Sequence, residues 1–231
     1  MNLFYAPDLN PDDKLFVFDK NESRHISRVL RKNIGEIVWI TNGKGGLFKT
    51  KIIDNNPNKT KVEIIDYQYY EKKSPKIHIA IAPTKSNDRM EWFLEKATEI
   101  GIDEITPLLT EHSERKKINT ERYNRVLVAA MKQSLQYHLP RLNPLTSWKD
   151  FIIGVKEQQR LIAYCQSKEK ISNLIRPKKD TILLIGPEGG FSESEFEQAV
   201  QRDFQPVLLS ENRLRTETAG IVGLTTIKLN L

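Results

Sequence analysis

The chain has 231 residues, 39% of them hydrophobic and 29% charged, the composition of an ordinary soluble globular protein with room for one large domain or a small domain followed by a medium one. No run of eighteen or more apolar residues is present to cross a membrane, and the amino-terminal MNLFYAPDLNPDD lacks the basic start and apolar stretch of a secretory signal, so a cytoplasmic location is expected. One cysteine, Cys165, excludes a disulfide framework and a cysteine-rich zinc site within the chain, while 36 Lys and Arg against 30 Asp and Glu give a net charge of +6, an excess that suits RNA without identifying it.

The first seventy residues read as short strands separated by turn chemistry, with one helix among them. Residues 14–19 (KLFVFD), 36–41 (EIVWIT), 46–54 and 59–67 are rich in β-branched and aromatic side chains, which suit a pleated, half-buried surface. Asn42-Gly43, Gly45-Gly46 and Asn55-Asn56-Pro57-Asn58 separate these runs, and a small, strongly curved sheet or barrel is expected. Between the first two strands, residues 21–32 (NESRHISRVLRK) predict a helix. On it Arg24, Arg28 and Arg31 fall at i, i+4 and i+7, and Ile26, Val29 and Leu30 lie on the opposite side. Guanidinium groups can bind two phosphate oxygens at once, so the row is a candidate RNA backbone contact; the alternative is a solvated helix face.

Residues 71–75 (EKKSP) are polar and aperiodic and mark a domain boundary, dividing the chain into 1–72 and 73–231. Beyond it, strands near 77–82, 104–109, 161–165, 181–185 and 206–209 alternate with helices near 88–100, 120–137, 193–201 and 215–229, which predicts an α/β domain on a largely parallel sheet. In the first of these helices Met90, Phe93, Leu94 and Ala97 make one apolar face and Gly101 supplies the stop. Cys165 ends the apolar run 161–164, where a buried structural thiol is expected. His25, His78, His112 and His138 show neither metal spacing nor a nearby triad partner and are read as non-catalytic.

Two later segments carry chemistry. In residues 181–199 (TILLIGPEGGFSESEFEQA) an apolar strand runs into a glycine-rich turn, and Ser192 with Glu195 forms a capping box that opens a helix. The turn lacks the Lys-Ser/Thr of a P-loop and the spacing of a dinucleotide site. Its charged residue is Glu188, which would repel phosphate and suits a ligand that is neutral or cationic where it passes. In residues 208–224 (LLSENRLRTETAGIVGL) a short strand leads to a helix that is apolar on nearly every side, hence buried, and whose small residues invite close packing against another element or another subunit. Arg215 and Glu217 stand at its mouth, either as a structural ion pair or as part of a site.

At these residues the chain resembles the RsmE family of small-subunit ribosomal RNA uridine N3 methyltransferases, within the SPOUT class. The resemblance spans nearly the full length. It takes in Arg24-His25 with Val29-Leu30-Arg31; Lys85 with Arg89, Lys96-Ala97-Thr98-Glu99 and Gly101; and Gln133-Ser134 with Pro140. The most specific blocks are Gly186-Pro187-Glu188-Gly189-Gly190-Phe191 and Leu214-Arg215 with Glu217-Thr218-Ala219. It implies a PUA-like β-barrel over 1–72 that helps bind RNA, and a SPOUT domain over 73–231 whose carboxyl-terminal segment threads a trefoil knot. A homodimer with the cofactor site beside the subunit interface is implied as well. So is methyl transfer from S-adenosylmethionine, without a metal, to N3 of a specific uridine in 16S ribosomal RNA or the small subunit.

The cofactor is then expected against Leu184, Ile185, Gly186, Pro187, Glu188, Gly189 and Gly190, against Leu208, Leu209, Ser210, Asn212 and Leu214, and beside Thr218 and Ala219, with Gly189 the position least tolerant of a side chain. RNA contacts are expected from Arg24, Arg28, Arg31, Lys85, Arg89, Gln133 and Ser134. Arg215 is expected to stabilise charge on the uracil, and Glu217 to accept the N3 proton or to hold Arg215. Two places depart from the family's pattern: Leu135-Gln136 stands where many relatives have Gly-Arg, and MNLFYAP lacks a basic residue. A non-catalytic RNA-binding or ribosome-assembly protein on the same fold, and a methyltransferase with another RNA acceptor, remain the alternatives.

Overall fold

The computed structural model describes residues 2–72 and 75–231; Met1, and Lys73-Ser74 within the expected boundary, lie outside the described residues. The chain forms two compact units, one made of the residues up to Lys72 together with Met131–Leu139, the other of the remainder.

The first unit holds β1 (Leu3–Tyr5), β2 (Leu15–Val17), α1 (Lys20–Arg24), β3 (Ile37–Thr41), β4 (Gly46–Asp54) and β5 (Lys61–Tyr69). Their sheet order is β1-β3-β4-β5-β2, with β1 parallel to β3 and every other pair antiparallel. Register shifts in the β4–β5 ladder, at Lys49/Thr50 and Ile52/Asp54, bend and twist these long strands. Phe4, Phe18, Ile26, Val38, Ile40, Phe48, Ile52 and Val62 pack as the core beneath them. Ser23 joins helix to sheet: its buried hydroxyl accepts the Thr60 N–H at 2.8 Å and donates to the Phe18 carbonyl at 3.2 Å.

The expected regular helix over 21–32 is instead a short α1, capped by Asp19, that runs into a π-helical turn at His25–Val29, where the Leu30 N–H reaches the His25 carbonyl at 2.9 Å. The wider turn changes which residues share a face. Ile26 is buried and Leu30 packs on the core, but Val29 is 70% exposed rather than on the packed side. Arg24, Arg28 and Arg31 are all exposed, with Arg31 already outside the helix at φ 52°.

The second unit opens with β6 (Ile77–Ile81), α2 (Asn87–Ile100), β7 (Glu104–Leu109) and α3 (Thr120–Gln133). There follow β8 (Arg141–Leu142), β9 (Thr146–Ser147), α4 (Trp148–Gly154), β10 (Gln159–Ala163), α5 (Ile171–Leu174), β11 (Thr181–Ile185), α6 (Glu193–Val200), β12 (Gln205–Val207) and α7 (Thr216–Leu229). The sheet is parallel throughout, in the order β12-β10-β11-β6-β7-β8 with β9 on the far half of β7. Short β8 and β9, and α4 and α5, have no counterpart in the sequence expectation.

The last turn of α3 and the segment after it belong to the first unit. There Gly45 N–H reaches the Tyr137 carbonyl and Leu139 N–H the Gly43 carbonyl, each at 2.9 Å. The helix, expected to continue to Tyr137, stops at Gln133 because Leu135 takes a left-handed backbone at φ 55°. α7 is packed as its composition requires. A Cβ on Gly220 would stand 2.6 Å from the Phe93 ring of α2, and one on Gly223 would meet Leu183 of β11.

Candidate active site

Three neighbouring strands end together, β10 at Ala163, β11 at Ile185 and β12 at Val207, and the loops leaving them enclose a cavity of about 490 Å³ with the start of α7. The carboxyl ends of parallel strands are where open α/β sheets bind ligands, and this volume falls within the range of small-molecule sites. Its wall contains Ile185, Gly186, Pro187, Glu188, Gly189 and Gly190 from the β11 loop. The β12 loop adds Leu208, Leu209, Ser210, Asn212 and Leu214, and Arg215 and Ala219 stand at the start of α7. Leu184 is sealed in the core, and Thr218 does not reach the wall.

The wall also contains residues that sequence reasoning missed: Ala163, Tyr164, Cys165 and Gln166 beyond β10, and Phe191, Arg213 and Thr216. Cys165, expected to be buried, is exposed, because β10 ends two residues earlier and the chain turns out of the sheet.

The β11 loop owes its shape to particular bonds. Gly190 donates its N–H to the Pro187 carbonyl at 2.8 Å and holds φ 74°, a backbone that disfavours any side chain. Gly189, the expected point of intolerance, has no such backbone; a Cβ there would stand 3.3 Å from the Cβ of His112, so its crowding is against that side chain. The Thr216 hydroxyl donates to the Gly186 carbonyl at 3.3 Å and ties the first residue of α7 to the loop.

Neighbouring loops are stitched to this one. Glu195, buried in the capping box of α6, accepts the Ser192 N–H at 3.0 Å with one oxygen and the Glu111 N–H at 2.8 Å with the other. His112 donates Nδ1–H to the Gly190 carbonyl at 3.2 Å. Arg115 donates Nε–H to the Thr84 carbonyl at 2.8 Å and a second N–H to that of Lys85. Lys85 pairs with Glu114 at 2.9 Å; that hydrogen bond and its charge, with Glu188 adding a smaller pull, raise the lysine's pKa above its ordinary value.

Glu217 does not hold Arg215. Its buried carboxylate lies 3.9 Å from Nε of Arg89 on α2, and its other oxygen is buried with no hydrogen-bond partner among the described residues. Neither the Arg213 nor the Arg215 side chain makes a hydrogen bond or ion pair among the described residues, so the cavity wall offers two uncommitted guanidinium groups. Of the other expected RNA contacts, exposed Gln133 and part-buried Ser134 lie in the first unit with the three arginines, and Lys85 and Arg89 in the second.

A second cavity, of about 580 Å³, opens beside the amino ends of β6, β7 and β8. Within it the His78 imidazole bridges Glu157 Oε1 at 2.6 Å and Thr106 Oγ1 at 2.8 Å. Burial pushes the Glu157 carboxyl upward, but the hydrogen bond and charge of His78, with the backbone N–H groups of Glu157 and Lys156, hold it below its ordinary value.

Comparison with known proteins follows the same division. Residues 18–65 match the family model of an RNA methyltransferase PUA domain, and residues 71–228 that of an RNA methyltransferase domain. Ribosomal RNA small subunit methyltransferase E of Buchnera aphidicola subsp. Acyrthosiphon pisum is 30% identical, over 92% of this chain and 87% of its own; that of Bacillus subtilis is 26% identical, over 92% and 89%. A crystal structure of a probable rRNA-methyltransferase from Porphyromonas gingivalis superposes with a TM-score of 0.93 at 39% identity, covering 100% of this chain and 98% of that one. The Neisseria gonorrhoeae ribosomal RNA small subunit methyltransferase E, solved bound to S-adenosyl methionine, gives 0.90 at 25% identity, covering 99% and 97%. With both domain models matched in order, and relatives aligned along almost its whole length, the chain belongs to the ribosomal RNA small subunit methyltransferase E family, a PUA domain preceding a SPOUT-type α/β methyltransferase domain.

Proposed function

We propose that this chain transfers a methyl group from S-adenosylmethionine to N3 of a specific uridine in 16S ribosomal RNA, using the cavity at the carboxyl ends of β10, β11 and β12. The observation that carries this reading is the wall of that cavity: a loop turned at Gly190, apolar side chains, one carboxylate and two uncommitted guanidinium groups. The donor set fits the cofactor. Leu208, Leu209 and Ala219 offer apolar surface to an adenine, backbone groups of the Gly186–Gly190 turn can meet ring and ribose edges, and Glu188 suits a cationic ligand.

When bound, the cofactor supplies an electrophilic methyl group on a sulfonium. The chain has to align the base and stabilise the uracil anion that forms as N3 gives its proton to solvent, before that nitrogen takes the methyl group and S-adenosylhomocysteine leaves. Arg215, on the wall and unpaired, stabilises the charge that develops on a uracil carbonyl oxygen. Glu217, committed to Arg89, positions that guanidinium rather than accepting the N3 proton.

A division of labour between the two compact units is proposed, with Arg24, Arg28 and Arg31, and Gln133 and Ser134 of the Met131–Leu139 segment, gripping RNA from the first unit and the second unit choosing the base. The family also points to a carboxyl-terminal trefoil knot and to a cytoplasmic homodimer with its cofactor sites beside the interface. The deciding experiment incubates the protein with labelled S-adenosylmethionine and unmodified small subunits or 16S RNA, followed by nucleoside analysis. 3-Methyluridine is expected. A different methylated nucleoside would move the acceptor, and RNA binding without methyl transfer would leave a non-catalytic assembly protein.

A further inference from the structure

We infer that Arg213 is the partner of the cofactor's carboxylate, and so sets this site's preference for a ligand with an intact amino-acid end. The inference rests on S-adenosylmethionine occupying the β10–β12 cavity. That ligand carries two cationic groups and one carboxylate, whereas its adenine and ribose are neutral. The charged side chains on the cavity wall are Glu188, Arg213 and Arg215. Glu188 would repel the carboxylate. Arg215 stands at the cap of α7, beside the Thr216 hydroxyl bonded to the Gly186 carbonyl, and serves the base.

Arg213 lies on the loop between β12 and α7, and no carboxylate among the described residues pairs with it. The nearest acid in sequence, Glu211, is paired with Lys170 at 3.4 Å, and Arg213 has no hydrogen bond or ion pair among the described residues. A planar guanidinium fork left free on the wall of a cavity for an amphoteric ligand matches a carboxylate with two parallel N–H donors.

Isothermal titration calorimetry on the full chain, with S-adenosylmethionine and with decarboxylated S-adenosylmethionine, separates carboxylate recognition from the rest of the ligand. The parent should prefer the intact cofactor by about ten- to a hundred-fold. Arg213→Ala should erase that gap, weakening the intact cofactor while leaving the decarboxylated one as before. Arg213→Lys should keep part of the gap, and Arg215→Ala all of it. The inference is overturned if Arg213→Ala weakens both ligands equally or neither, or if Arg215→Ala is the change that closes the gap. Gly190→Val serves as the control on the cavity itself. Full S-adenosylmethionine affinity in that variant would relocate the cofactor site, whereas its loss alongside an unaffected Arg213→Ala would sink only the carboxylate assignment.

Discussion

At the scale of single residues, two groups in the second unit make separate predictions. Arg215 is unpaired on the cavity wall, so its removal leaves no buried carboxylate without its cation. Arg215→Ala should therefore fold and bind cofactor as the parent does while losing roughly 10²–10³ in single-turnover methylation, the scale of removing one donor to a developing oxyanion. Near-normal turnover would remove it from the mechanism. Glu157 makes a pH prediction. Its carboxyl is held below the ordinary value of 4.5, so the stability it contributes is present above that pH and is lost as pH falls through the folded value. Glu157→Gln should cost roughly 1 kcal/mol at pH 7 by weakening the bond to His78. Denaturant titrations between pH 7 and pH 3 should show the two proteins converging in acid; a constant difference would mean that the charge on Glu157 is immaterial.

At the scale of elements, the ends of helices are more informative than their middles. Leu135 closes α3 in a left-handed conformation that costs a side-chain-bearing residue about 1–2 kcal/mol, and the residue is 41% exposed rather than part of a core. A glycine at this position would take the same backbone without that cost. Leu135→Gly should raise the thermal midpoint, by an amount equivalent to about 0.5–1 kcal/mol once the extra freedom of the unfolded chain is subtracted. A lowered midpoint would show that the leucine side chain contributes more by packing than the backbone loses by strain. α6 is instead secured by Glu195, whose two oxygens serve its own capping box and the Glu111 N–H of the loop after β7, so one buried carboxylate shapes both the helix start and the rim of the site.

At the scale of the whole molecule, RNA affinity and base choice are expected to be separable. Arg24, Arg28 and Arg31 are exposed and stand in the first unit, whereas the cavity proposed for the cofactor is lined wholly by residues of the second. Replacing all three with glutamine removes three charges without touching Ile26 or Ser23, which anchor that segment to its sheet. RNA affinity should fall, and the log–log salt slope should shrink by about 0.7 per lost phosphate contact, as measured by filter binding over a salt series. Cofactor affinity should be unchanged. A triple variant that binds and methylates RNA as the parent does at physiological salt would reduce these arginines to solvated surface.

Much of the architecture was legible in the sequence because strands and helices announce themselves by local periodicity and turn chemistry. The bounds of β4, β7 and β11 agree with expectation, as does the alternation that makes the second sheet parallel. The glycine turn and the segment entering α7 were legible for the same reason, each being a contiguous run of unusual residues.

What stayed hidden was decided by contacts between segments far apart in the chain. Three-residue β1 is a strand only because β3 receives it in parallel, and Met131–Leu139 joins the first unit through hydrogen bonds to Gly43 and Gly45. Tyr164 and Cys165 reach the cavity because β10 lies between β11 and β12, and Arg213 faces a ligand space that exists only where three strand ends meet. Glu217 pairs with Arg89 rather than with nearby Arg215 because α7 packs on α2, with glycine at Gly220 admitting the Phe93 ring. Local pattern specifies which elements form; the topology that sets them side by side, and the close approach their small residues permit, selects which side chains share a site.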